Sequence, residues 1–177
     1  MPESVTVADT KPETLRTPTD LPKAKVSKIC DAVNGLVADA FILYMKTKNF
    51  HWHVSGPHFR DYHVLLDEQA EQIFASIDPL AERVRKLGQN TVKSFAEIAR
   101  SSSLKENEAK FVSPFEMLLE LMEDNKNCAA AMREAHGLCE DSKDIATASL
   151  LEVYVDEAER RAWFLFEASR SADKGGH

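Results

Sequence analysis

The sequence predicts an all-α protein, an up-down bundle of four long helices with a short extra helix in the connection between the second and third. Two observations carry this. Apolar residues recur at helical spacing in four long segments. Nowhere does the chain show the alternation of a half-buried strand or the glycine-rich turn of a phosphate loop. At 177 residues it is one domain's worth, able to bury a core without disulfides or a structural metal.

Residues 1–21 hold Pro2, Pro12 and Pro18 among scattered threonines and charges, with no apolar period, and read as a flexible tail. The bundle occupies residues 22–177. A first helix is predicted over about residues 22–53, where Ile29, Val33, Leu36, Ala40 and Tyr44 share one face and His51 extends that stripe. Ser55-Gly56-Pro57 ends it. The second, over about residues 58–87, places Leu66, Ala70, Ile73, Ile77, Leu80, Val84 and Leu87 in a four-three alternation, stopped by Gly88 where a left-handed cap is expected. The linker to Val112 carries Phe95, Ile98 and a triple serine, consistent with a short helix and turn across the bundle. Ser113-Pro114-Phe115-Glu116 combines a capping box with proline at the first helical position, so a third helix opens there and runs to about Cys139. After an acidic turn over residues 140–144, a fourth helix carries Leu151, Val155, Ala158, Ala162 and Leu165. Four helices with one long middle connection describe a bundle of the ferritin-like kind.

Charge and cysteine usage narrow the function classes. With 29 acidic against 22 basic residues the formal charge is -7, which argues against a dominant nucleic-acid surface and favours attraction of cations. Cys30, Cys128 and Cys139 form no CxxC pair and read as buried thiols. The first thirty residues lack a secretory pattern and no 18 apolar residues run together, so the expected location is a reducing cytoplasm, without membrane contact.

The residues that carry chemistry lie along the second helix. On a helical wheel its apolar stripe fills roughly 80°, and His63, Asp67, Glu71, Phe74, Asp78 and Glu82 fill the adjoining roughly 100°. His63/Asp67 and Asp78/Glu82 are i, i+4 pairs, each able to grip one ion from one side. Yet His63 and Glu82 on one helix lie roughly 28 Å apart by helical rise, too far for one ion. Two copies packed antiparallel across a two-fold axis would bring one chain's His63 and Asp67 to the other's Asp78 and Glu82. Carboxylates with imidazole suit iron, and the absence of thiolates argues against structural zinc or an iron–sulfur centre. A single carboxylate pair on a long surface helix is ordinarily just solvated. The signal here is its combination with His51, whose imidazole on a buried stripe needs a partner.

The segment Lys48-Asn49-Phe50-His51-Trp52-His53-Val54-Ser55-Gly56-Pro57-His58-Phe59, then His63, Asp67 and Asp78-Pro79-Leu80-Ala81-Glu82-Arg83, resembles the signature of the Dps family of mini-ferritins over about residues 22–170. The resemblance implies a homododecameric shell with ferroxidase sites at two-fold interfaces, oxidising Fe(II) with hydrogen peroxide and storing Fe(III) oxide. It implies that His51, His63 and Asp67 come from one subunit and Asp78 and Glu82 from its neighbour, with Glu82 bridging. Trp52 is then expected beside the site and Lys48 just behind the ligands. In such shells acidic pores admit Fe(II), and Glu140, Asp141 and Asp144 are the candidates for that lining.

The other histidines have plainer expected roles: His53 and His58 at the surface turn, His136 hydrogen-bonded near a helix end, His177 at the terminus. Trp163 and the Phe164-Leu165-Phe166 run are expected to serve core and subunit packing. An ordinary di-iron bundle would need Glu-x-x-His motifs, and none of the six histidines has Glu three residues before it. A DNA-binding, nucleoid-associated structural protein is the competing reading. Through Lys28, however, Lys11, Arg16, Lys23, Lys25 and Lys28 are set against Glu3, Asp9, Glu13 and Asp20, a near-neutral balance that offers little counterion release.

Overall fold

The computed structural model describes residues 17–170. It contains α1 (Lys23–His53), α2 (Phe59–Lys86), α3 (Phe95–Ser101), α4 (Pro114–Ser142) and α5 (Ile145–Ser169), and no strand among the described residues. α1 packs along α2 and α4 along α5, α1 joins the two pairs through α4, and α3 lies across α1. α2 and α5 approach each other less closely but are linked by side chains along their length, from Tyr62 with Ala168 at one end to Arg83 with Thr147 at the other. None of the described helices is long and apolar enough to cross a membrane. The expected tail lies mostly outside the described residues. Of its end, the Thr17 hydroxyl donates to the Arg85 carbonyl at 2.9 Å.

The predicted stripes form the core. Ile29, Val33, Leu66, Ile73, Leu80, Leu118, Leu121, Leu151 and Leu165 are all fully buried. Each buried aliphatic side chain of this size contributes roughly 1.5–3 kcal/mol, which is what holds long helices whose isolated stability would be marginal. Gly88 takes φ +82°, the left-handed cap its position predicts. At Ser113 both halves of the capping box form: its hydroxyl accepts from the Glu116 amide, and the Glu116 carboxylate accepts from the Ser113 amide at 3.0 Å.

Several polar groups inside the bundle are tied to one another. Lys46, 4 % exposed, sits 2.8 Å from both Glu120 and Asp124 and fastens α1 to α4. Asp39 accepts from the Ser102 and Ser103 hydroxyls and the Ser103 amide, pinning the end of α3 to α1. The three cysteines are free and buried, and burial raises their thiols, Cys30 to about 11 and Cys128 and Cys139 to about 12.

Two expectations need correction. The third long helix does not stop at Cys139, and residues 140–144 are not an acidic loop. α4 continues to Ser142, Lys143 closes it in the left-handed conformation, and Asp144 is already the cap of α5, accepting from the Thr147 amide. The aromatic run of α5 is also not core as a unit. Leu165 alone is buried, with Trp163 60 % and Phe166 47 % exposed in the single chain, because consecutive residues of a helix point to different faces.

Candidate metal centre

The turn Ser55-Gly56-Pro57, with Gly56 at φ +104°, folds α2 back beside the end of α1. This lays His51, in the last turn of α1, against His63, in the second turn of α2. Their rings stack with centroids 3.7 Å apart and planes 23° off parallel. His51 Nδ1 lies 2.8 Å from the His63 carbonyl oxygen, and His63 Nδ1 lies 2.9 Å from the His51 carbonyl oxygen. A carbonyl only accepts, so both Nδ1 atoms carry the proton, and in the neutral ring it is Nε2 that keeps the lone pair. The backbone thus sets the tautomer that metal binding through Nε2 requires. His51 is buried, and its Nε2 lies 3.9 Å from Asp67 Oδ1.

Asp67 is held in place by Lys48. The ammonium lies 2.6 Å from Oδ1, and this hydrogen bond is the main cause that keeps the Asp67 carboxyl below the ordinary carboxylate range. The same Lys48 Nζ lies 6.0 Å from the Trp52 ring, which is 56 % exposed in the single chain. Lys48 thus links Asp67 to the Trp52 ring.

Asp78 and Glu82 do not join this group. Both are exposed on the far half of α2, with Glu82 3.0 Å from Lys86. Among the described residues of one chain, no three His, Cys, Asp or Glu groups are gathered closely enough to hold an ion. Asp78 instead borders a groove of about 520 Å³ whose apolar wall includes Phe41, Phe74, Ile77, Phe95 and Ile98. Phe74 is 54 % and Phe95 83 % exposed. The sequence signal for this groove was a lone phenylalanine in the middle of a polar stripe.

The acidic residues at the α4–α5 junction divide. Glu140 is exposed, 3.6 Å from His136 Nδ1, and Asp141 is exposed, its backbone carbonyl accepting from Lys25 Nζ. Asp144 is 3 % exposed and does not face solvent: it accepts from Arg83 Nη2 at 2.7 Å and from Thr147. Arg83 also donates to the Thr147 hydroxyl at 2.7 Å, so the last residue of the Asp78–Arg83 motif is a tie between α2 and the α4–α5 turn. Sequence reasoning gave Arg83 no role, because its partner is 61 residues away.

Residues 30–170 match the ferritin-like domain family. Over 133 residues the chain is 31% identical to the DNA protection during starvation protein of Brevibacillus brevis, covering 75% of this chain and 89% of that one. The chain belongs to the Dps family of ferritin-like proteins. A low temperature-induced protein of Nostoc sp. is 33% identical to this Dps chain over 138 residues, 77% of each. The crystal structure of the Dps protein from Vibrio cholerae O1, described as a member of a broad superfamily of ferritin-like diiron-carboxylate proteins, superposes with a TM-score of 0.80 at 25% identity. That match covers 85% of this chain and 94% of the other. The all-α fold, four long helices and a short one, is that of these Dps structures.

Proposed function

We propose that this Dps chain is a ferroxidase and iron store whose metal sites are completed by a second copy of the chain, in a shell of twelve. Family membership supports iron storage and DNA protection in general terms. The finer reading rests on one observation: His51 and His63 hold each other in the metal-binding tautomer beside Asp67, while Asp78 and Glu82 on the same helix face outward. Each chain thus offers two half-sites and no whole one. The groove beside Asp78 supports the same arrangement, since an exposed phenylalanine wall next to a proposed ligand is what a two-fold contact would bury.

Fe(II) is then the substrate, held by His51, His63 and Asp67 of one chain and Asp78 and Glu82 of its neighbour. Two ferrous ions supply one electron each to a hydrogen peroxide molecule, which takes up two protons and leaves as two waters. Paired transfer avoids releasing hydroxyl radical, and this protects DNA without requiring that DNA be bound. A soluble cytoplasmic setting fits this role. Lys48 occupies Asp67 until a cation replaces it. Glu140 and Asp141 remain candidates for a cation entry path, and Asp144 does not, because its carboxylate already serves Arg83 and Thr147.

The test is iron oxidation by the assembled protein, followed by stopped-flow absorbance in peroxide and in dioxygen. We expect peroxide to be the faster oxidant, about two Fe(II) consumed per peroxide, and spin-trapped radical well below that of free iron. Equal rates with dioxygen, or radical yield matching free iron, would remove peroxide detoxification from the reading.

A further inference from the structure

Between α2 and α5 lies a pocket of about 200 Å³ lined by Glu68, Gln69, Gln72, Arg160, Arg161 and Phe164. Its lining contains none of the proposed iron ligands. Gln69 is 5 % exposed. Its Nε2 donates a long 3.4 Å bond to the Arg161 carbonyl, and its Oε1 has no hydrogen-bond partner among the described residues. Arg161 is 6 % exposed, with Nε donating to Asn125 Oδ1 at 2.7 Å and Nη1 to Gln72 Oε1 at 2.8 Å. Glu157 stands 3.9 Å from Nη1, and Nη2 has no hydrogen-bond partner among the described residues. Arg160, exposed, lies over the Phe164 ring at 5.1 Å and adds a second guanidinium to the lining.

A ligand that completes this pocket must accept hydrogen bonds from guanidinium and donate one to a buried amide oxygen. Water satisfies Gln69 but leaves Arg160 without an anion and Arg161 with only Glu157, 3.9 Å from its Nη1. Sulfate satisfies the arginines and has no proton for Gln69. We propose that the α2–α5 pocket binds inorganic phosphate as hydrogen phosphate, its charged oxygens on Arg160 and Arg161 and its P–OH donating to Gln69 Oε1. The volume admits a tetrahedral anion, being several times the roughly 30 Å³ share of one water. Because a buried acceptor left unpaired discriminates strongly, the pocket should select against same-shaped anions that lack the hydroxyl. A phosphomonoester dianion, with carbon in place of that hydrogen, falls in the rejected class.

The experiment titrates iron-free, fully assembled protein with inorganic phosphate, sulfate and glycerol 3-phosphate by calorimetry, with phosphorus line broadening as a second readout. One phosphate per chain is expected, with sulfate and glycerol 3-phosphate bound about tenfold more weakly or worse. Arg160→Ala, a surface change, should weaken phosphate about tenfold. Gln69→Leu should equalise phosphate and sulfate. Absence of saturable phosphate binding, equal affinity for sulfate in the unaltered protein, or full affinity in Arg160→Ala would each overturn the assignment. Circular dichroism of both variants checks the fold, and the anion comparison on the unaltered protein decides the matter even if Gln69→Leu does not assemble.

Discussion

His51 and His63 show how a backbone can choose the chemistry of a side chain. Each imidazole spends its Nδ1 on the other residue's carbonyl, so neither depends on a carboxylate to fix its tautomer, and Asp67 stays available to Lys48 in the absence of a cation. The Lys48 contact has a pH signature. A carboxyl held below its ordinary range in the folded chain contributes stability above its unfolded value, and that contribution is lost as pH falls through the lower folded value. Lys48→Met should therefore flatten part of the acid-side loss of stability, in the window below about pH 4, as read from urea midpoints across pH. The buried thiols make a second residue-scale case. With Cys30 pushed up to about 11 and Cys128 and Cys139 to about 12, almost no thiolate exists at pH 8. We expect no cysteine to react with iodoacetamide in the native protein and all three to react in guanidinium, counted by mass spectrometry.

At the scale of elements, the bundle is fastened at its ends and joints by charged pairs as well as by its apolar stripes. Lys46 with Glu120 and Asp124 joins α1 to α4, and Arg161 with Asn125 and Gln72 bridges α5 to α4 and α2. Arg83 holds Asp144, and Asp144 caps α5, so one side chain on α2 fixes where the last helix begins. Its loss would leave a 3 % exposed carboxylate with only its own cap bonds. Arg83→Met should cost about 2 kcal/mol in urea unfolding, with little change in the slope of the transition. The helices themselves should remain, since their apolar faces are untouched, and far-ultraviolet circular dichroism at low urea should match that of the unaltered protein.

At the scale of the whole molecule, the proposed shared site can be tested by counting. A variant with Asp78→Ala and Glu82→Ala keeps the histidine half, and one with His51→Ala and His63→Ala keeps the acidic half. In randomly mixed shells, half of the two-fold interfaces pair unlike chains, and each of these restores one of its two sites. Equal mixing of two inactive parents should therefore recover about a quarter of the oxidation rate. Native mass spectrometry, expected near 240 kDa for twelve chains of 19.8 kDa, verifies the assembly and the mixing. Verified mixed shells that stay inactive would place the site within one chain.

Local pattern was enough to determine the four long helices, the buried Leu66-to-Leu87 stripe, the Ser113 capping box and the Gly88 stop, because helical periodicity and capping act within a few residues. The same periodicity put His63, Asp67, Asp78 and Glu82 on one face, and the helical rise alone made their separation calculable. What the sequence left undetermined involves contacts distant along the chain. The reciprocal histidine bonds require the α1–α2 turn to close, and the withdrawal of Asp144 from solvent requires Arg83 to reach it from another helix. The pocket between Gln69 and Arg161 exists only because α2 and α5, far apart in sequence, pack side by side. Hydrogen-bond direction, burial and the space between helices are properties of packed pairs, and tertiary structure alone decides which residues form them.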